Sequence, residues 1–526
     1  MKRTIAVIAL LLSLTGMVNV ALTSTSNAED APTALVRASG PSPFAGCNIQ
    51  LIPTEREYLN AEVEPWLAVN PQDSDNLVGV WQQDRFEFGG SRGLLTGVSR
   101  DGGQSWRRTF PHFNRCAGGN AQNGGDYERA SDPWVTFSPG STAYQIALSF
   151  DFFDTPQAIL VSRSKDGGGT WSEPITLIRD TDPNVVDDKE SITADPVDHG
   201  FVYAVWDRLD FNSPTLLTQG PIWFSRTTNG GASWEPARKI YDPGLDASTL
   251  ANQIAVLPNG ELVDLFVRFT NESQPPTVND LVIGVIRSQD KGVTWSQPII
   301  VNTLQTVGVV DPKTQEFLRT GDVIPNIAVD RKTGTVYVVW QDARFSSGLR
   351  DGIALSKSTD GGLTWSAPVQ VNQAPLVQAF TAAVDVASNG AIGVTYYDFR
   401  KDTNDPSVLL TNYWKITSHD GGAKWKELPL AGPFDMRSAP SAEGFFVGDY
   451  QGLNHAGAKF IPFFVKTNSG NVANRTDVFA AVRAEEDDEE RNRREVANDR
   501  EEVNASPLSL RQQVESHRER PHYLMR

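Results

Sequence analysis

Ser99-Arg100-Asp101-Gly102-Gly103-Gln104-Ser105-Trp106 is the first of six copies of one eight-residue motif. The others run from Ser164 to Trp171, Thr227 to Trp234, Ser288 to Trp295, Ser358 to Trp365 and Ser418 to Trp425. Measured at the Asp position, which is Asn229 in the third copy, the steps are 65, 63, 61, 70 and 60 residues, a period that suits one four-stranded propeller blade. Two places after the Asp, a Gly recurs in every copy, as expected for a turn with positive φ. The short Asp side chain is suited to accept the turn's own N–H groups, and the Trp three residues after the Gly is suited to pack between neighbouring blades. Asn229 should weaken its turn only modestly.

The rest of the composition agrees with an all-β chain. Over 526 residues, 43 Gly and 32 Pro are spread among many short elements, and 39% hydrophobic residues with 13 Trp suffice for a large core. A net charge of −17 argues against nucleic-acid binding, which draws its affinity from Lys and Arg on phosphate. Lys2 and Arg3 ahead of the apolar run Ile5 to Val20, with Ser26-Asn27-Ala28 behind it, read as a signal peptide over 1–28. The mature chain is then secreted or periplasmic, with no later transmembrane segment, and is expected to be a monomer. In that oxidising setting Cys47 and Cys116 are able to pair, geometry permitting.

The six motifs resemble the Asp box of the sialidase-like, or BNR repeat, propellers, over nearly the whole chain to about residue 482. That resemblance implies a β-propeller with each box on the turn between the third and fourth strands of a blade. The box itself is structural, because Asp boxes occur in glycan hydrolases, sorting receptors and non-catalytic assembly factors alike.

Two further strand signals precede each box. First strands are expected at Pro65 to Val69, Pro133 to Phe137, Ser191 to Ala194, Gln253 to Val256, Pro325 to Val329 and Phe380 to Val384. Second strands, rich in Val, Ile, Tyr and Trp, follow from Leu77, Gln145, Val202, Leu262, Val336 and Ile392. After the sixth box the pattern starts again, at Phe445 to Gly448, Lys459 to Val465 and Asp477 to Val482, without a seventh box. A blade lacking its outer strand needs a partner from the other end of the chain, and Cys47 to Ile52 is the candidate. The reading is therefore an all-β, seven-bladed propeller closed by an N-terminal strand, with six blades as the alternative. Its domains are a linker over 29–46, the propeller over 47–482, and a charged tail over 483–526 with almost nothing apolar to bury.

Loops entering the first strands and leaving the second share one mouth of such a ring. Acids and arginines gather there, with Trp81, Asp84 and Arg85, Trp206, Asp207 and Arg208, Trp340, Asp342 and Arg344, and Tyr397, Asp398 and Arg400 as a recurring group. Repeated structural ion pairs are the plain explanation. The resemblance implies a sharper one: Tyr450 as nucleophile, Glu190 or Glu64 to deprotonate it, Asp84 as acid and base, and Arg85, Arg208, Arg344 and Arg400 with Asp342 to hold an acidic glycan. Against it, Glu62-Val63-Glu64-Pro65-Trp66 has Glu where active sialidases carry the Arg of a Phe/Tyr-Arg-Ile-Pro motif. The alternative function is a non-catalytic propeller binding a glycan or a secreted protein. No cofactor is expected, with Ca²⁺ near Asp187 and Asp188 the weak candidate. Gly89-Gly90-Ser91-Arg92-Gly93 fits a nucleophile-elbow spacing by chance, since it lies between two strands.

Overall fold

The computed structural model describes residues 33–51, 53–152, 155–212, 217–274 and 280–483. The signal peptide expected over 1–28 and, from residue 484, the charged tail lie outside the described residues. Apart from three single-turn 3-10 helices, every regular element within them is a strand.

The strands form seven four-stranded antiparallel units. In the first, Glu57–Asn70, Asp73–Phe86, Ser91–Ser99 and Arg107–Thr109 pair in chain order. First strands of the next five are Arg129–Phe137, Val185–Ala194, Ala247–Val256, Asn326–Val329 and Ala379–Val386. The seventh unit consists of Gly452–Ala456, Lys459–Thr467 and Thr476–Arg483, and its fourth strand is Thr33–Arg37 from the other end of the chain. The expected closing segment, Cys47 to Ile52, is thereby corrected to one that begins fourteen residues earlier. Thr33–Arg37 covers the open edge in register from Thr33 opposite Arg483 to Arg37 opposite Phe479. Cys47 instead bonds Cys116, tying the N-terminal segment to the first unit.

Each first strand lies against the first strand of the next unit, and that of the first unit also lies against Gly452–Ala456 of the seventh. Hydrogen bonding nevertheless does not divide the chain into seven separate sheets. Ser91 pairs with Ala130 and joins the first two units, while Gln219–Gly220 pairs with Ala247–Ser248 and joins the third and fourth. Phe445–Phe446, expected to open the last repeat, pairs with Phe317–Arg319 in a small extra sheet. Gly452–Ala456 takes its place as a first strand.

All six boxes sit between the third and fourth strands of their units. In the first, Asp101 Oδ1 accepts Ser105 N at 2.9 Å and Ser99 Oγ accepts Gly103 N at 2.8 Å. Both box Gly positions need positive φ, as at Gly102 (68°) and Gly103 (94°), and Lys291 adopts 57° where the fourth copy lacks the first Gly. Hydroxyl and amide donors of Thr294 and Thr364 hold Asp290 and Asp360 down to about 2. Box tryptophans stitch units together: Trp106 packs on Phe463 of the seventh, Trp295 on Phe224 of the third, and Trp171 Nε1 donates to Thr109 at 3.2 Å. Arg163 Nη1 donating to Gly230 O and Lys357 Nζ to Gly421 O add polar stitches between neighbours.

The recurring Trp, Asp and Arg group at the end of the second strands ties strands within a unit, and from it Arg208 reaches Asp180 of the second unit and Arg344 reaches Asn302 of the fourth. Buried Trp206, Trp340 and Trp414 donate their indole N–H to Asp187, Asp342 and Asp398 at 3.1, 2.7 and 2.8 Å, and an Arg then pairs with the same Asp in the last two. Without such an acceptor a fully buried indole N–H would cost about 1–3 kcal/mol.

Because Thr33–Arg37 covers the edge of Thr476–Arg483, a chain starting at residue 41 should lose more than about 5 °C in Tm and self-associate at the bared edge. Thermal unfolding and size-exclusion chromatography check this; an unchanged monomer would refute the closing role.

Candidate functional site

In five of the seven first strands the pairing slips, at three places in the first of them and at one in each of the others, and a residue within a slip has positive φ: Glu64 (55°), Asp132 (51°), Lys189 (48°), Ala251 (66°) and Thr381 (49°). A left-handed non-Gly residue costs of order 1–3 kcal/mol, so neighbours must hold it there. Such bulges re-aim a side chain, and here they bring Glu64, Asp132 and Lys189 of three successive units together.

The Lys189 ammonium is the hub. Its Nζ lies 2.6 Å from Asp132 Oδ1, 3.0 Å from Asp449 Oδ2 and 3.3 Å from Glu64 Oε1, all four side chains being buried. The extra sheet delivers Arg319, whose Nε and Nη2 reach Asp449 at 3.0 and 2.5 Å. Arg85 and Arg319 both stand over the ring of Phe446, at 5.1 and 4.8 Å. These groups open into a pocket of about 600 Å³, whose wall also includes Asp187, Asp188, Phe88 and Phe150.

Charge at this site is finely divided. Burial opposes the Lys189 charge, yet Asp132, Asp449, Glu64 and Asp188 outweigh it and hold the ammonium well above its ordinary range. Asp449, despite burial, is held far below the usual carboxylate range by Lys189 and Arg319. Glu64 is pushed up to about 7, by burial first and by Asp132 and Asp449 next, with Lys189 opposing. Asp188 rises to about 6 through burial and the charge of Asp132. The site therefore places Glu64, which holds a proton up to about 7, beside the ionised Asp449.

The residues singled out from sequence divide sharply. Arg85 lines the pocket, its Nη1 donating to Gln82 Oε1 at 2.8 Å. Arg208, Arg344 and Arg400 do not assemble the expected clamp: they pair with Asp180, with Asp342, and with Asp398 and Glu427 respectively. Asp342 is likewise occupied by Trp340 and Arg344. Asp84 is buried and receives the N–H of Asn60 at 2.8 Å and the Ser42 hydroxyl, which fastens the N-terminal segment. Tyr450 lies against the stacked pair Trp66 and Trp134, its hydroxyl donating to Pro133 O at 3.3 Å. Burial and the nearby charges of Glu64 and Asp132 push that phenol well above its ordinary range, against the nucleophilic phenolate expected of it. Glu190 is buried, with neither carboxyl oxygen hydrogen-bonded among the described residues, and burial and the charge of Asp132 push its carboxyl well above the ordinary range. Asp187, a Ca²⁺ candidate with Asp188, accepts the Trp206 indole. Among the described residues no cluster of His, Cys, Asp and Glu is arranged for a metal ion. Ser91 donates to Ala130 O at 2.8 Å inside the sheet join, which disposes of it as a nucleophile.

Lys189, Asp132 and Arg319 are not among the site residues singled out from sequence. A signal for the first two existed: Glu64, Asp132 and Lys189 each stand two residues ahead of Trp66, Trp134 and Ser191, the first residues to pair again after the slip. Arg319 had none, because its place depends on the extra sheet.

Residues 221–443 match a family model described as a BNR repeat-like domain. This span bears four of the six boxes and leaves Glu64, Asp132 and Lys189 outside it. No curated protein matches the sequence. Among solved structures, the Hadza microbial sialidase Hz136 overlaps 78% of this chain and 73% of its own at 16% identity and a TM-score of 0.44. The α-L-arabinofuranosidase Arb93A of Fusarium graminearum overlaps 80% and 93% at 14% identity and 0.43, and a point mutant of NanB sialidase from Streptococcus pneumoniae 82% and 93% at 11% and 0.43. Overlaps this loose assign no residue a role. No helix among the described residues is long and apolar enough to cross a membrane.

Stripping the hub of its cation leaves buried carboxylates unpaired, which costs about 3–5 kcal/mol. Lys189→Met should lose that much stability at pH 8, and less at pH 5, where Glu64 and Asp188 with their raised pKa values are protonated in the folded state. Urea unfolding at the two pH values checks the sign; an equal loss at both would refute it.

Proposed function

We propose that the seven units close as a seven-bladed β-propeller and that the pocket at Glu64, Asp132 and Lys189 hydrolyses glycosidic bonds. Paired carboxylates carry the reading. Glycoside hydrolysis needs one carboxyl that keeps its proton near neutral pH and another that is ionised beside it. Glu64, pushed up to about 7, fits the acid. Asp132, 2.6 Å from the Lys189 ammonium, fits the carboxylate that attacks or that activates water. Both touch the same Nζ, so their nearest oxygens are no farther apart than 2.6 and 3.3 Å together allow, short of the roughly 6.5–9.5 Å that an inverting pair leaves for water. Phe88 and Phe150 offer apolar faces for a sugar ring.

In this mechanism Glu64 protonates the departing glycosidic oxygen while Asp132, paired with the Lys189 ammonium, acts at the anomeric carbon. Glu64 then takes a proton from water in the second half. Asp449 is a positioning residue that fixes Lys189 and Arg319. Tyr450 takes no part as a nucleophile. The acidic wall disfavours an acidic sugar at the cleavage point, so a neutral glycan replaces the sialylated one as the substrate. Export belongs to the same proposal, supported by the Cys47–Cys116 disulfide, which suits an oxidising compartment.

A binding-only pocket is the second reading, favoured by the three ion pairs that already engage Lys189. A panel of neutral aryl glycosides separates the two. Hydrolysis should fall at least about 100-fold in Glu64→Gln and in Asp132→Asn, with kcat dropping in the wild type as pH rises through about 7. Binding of the panel without turnover in the wild type would replace the hydrolase reading with the binding one.

A further inference from the structure

A second pocket, of about 710 Å³, adjoins the first through Phe88, which lines both. Its walls come from three places: the start of the first unit, the extra sheet with the turn before Phe445, and the loop ahead of Thr476–Arg483. The geometry points to an accessory subsite for a neutral oligosaccharide, one that extends the chain held at Glu64 and Asp132. This rests on the glycan reading of the neighbouring pocket for its ligand class.

Three observations carry it. First, the lining has three arginines (Arg56, Arg437, Arg475) and three glutamates (Glu87, Glu316, Glu443), so the pocket is balanced on a chain whose net charge is −17. Such a lining offers donors and acceptors to hydroxyl groups without a net field for an ion.

Second, these planar groups are only partly committed. Arg437 is anchored by Asp311 and Glu316 at 2.6 and 3.1 Å. The exposed Arg56 and Glu443 side chains have no ion-pair partner among the described residues, and Arg475 lies over Tyr58 at 5.2 Å with its Nη1 on Ser438 O.

Third, Phe88 and Phe317 are 47% and 44% exposed on the rim, although phenylalanine is ordinarily buried. Two aromatic faces beside hydrogen-bonding forks suit a sugar, whose ring has an apolar face and a polar edge. Phe88, common to both pockets, is placed to support the sugar that links them.

Calorimetry with cellohexaose, xylohexaose and 1,5-α-arabinohexaose, and with hexagalacturonate as an acidic counterpart, tests the inference. At least one neutral hexasaccharide should bind the wild type, and Arg56→Ala and Phe317→Ala, both exposed positions, should each weaken it about tenfold. Circular dichroism confirms that the variants are folded. Hydrolysis of short aryl glycosides should stay unchanged in both. Asp132→Asn should bind the hexasaccharide as the wild type does. If the wild type cleaves nothing but the hexasaccharide still binds through Phe317, the hydrolase reading fails and the subsite stands. The subsite is refuted by the absence of neutral hexasaccharide binding, by binding indifferent to both substitutions, or by tighter binding of hexagalacturonate.

Discussion

A single buried ammonium, that of Lys189, holds together carboxylates that the chain supplies at residues 64, 132 and 449. Burying one charge this deeply without partners is prohibitive, and burying three carboxylates without a cation is worse. The four groups are therefore tolerable only as a set. Each is carried by a different four-stranded unit or its entry, so the charge cluster and the arrangement of the units depend on one another. Asp449, doubly held by Lys189 and Arg319, is the firmly ionised member, and the excess of acid over base leaves protons on Glu64 and Asp188.

The backbone accepts strain to make this meeting possible. Bulges at Glu64, Asp132 and Lys189 repeat at Ala251 and Thr381, where the side chains are small and uncharged. The bulge is thus a feature of the repeat, and charged side chains stand on it in three successive units only. Between the units, the boxes, their tryptophans and the Trp–Asp–Arg groups supply the rigid frame that holds left-handed residues in place.

Much of the frame was legible in the sequence because it repeats. Six boxes fix the turn between third and fourth strands, and the Val, Ile, Tyr and Trp runs mark the second strands wherever both faces are buried. Two features escaped for physical reasons. The closing strand, Thr33–Arg37, is an ordinary five-residue edge strand, and nothing in its composition separates it from the Cys47 segment that the disulfide secures instead. The Lys189 cluster escaped because the resemblance points instead to Tyr450 and to arginines at the ends of second strands. Those arginines satisfy their own local carboxylates, as Arg400 does with Asp398 and Glu427, and the Tyr450 hydroxyl is committed to a backbone carbonyl. Arg319 gains meaning only from distant parts of the chain, which no local pattern reports.

The most direct test is a double-mutant cycle between Lys189 and Asp449, using Lys189→Met, Asp449→Asn and both together, read by urea unfolding at pH 7.5. An ion pair at 3.0 Å in a buried cluster should show a coupling energy of at least about 1.5 kcal/mol. Additive effects of the two substitutions, with no coupling, would contradict the account that the ammonium organises the site.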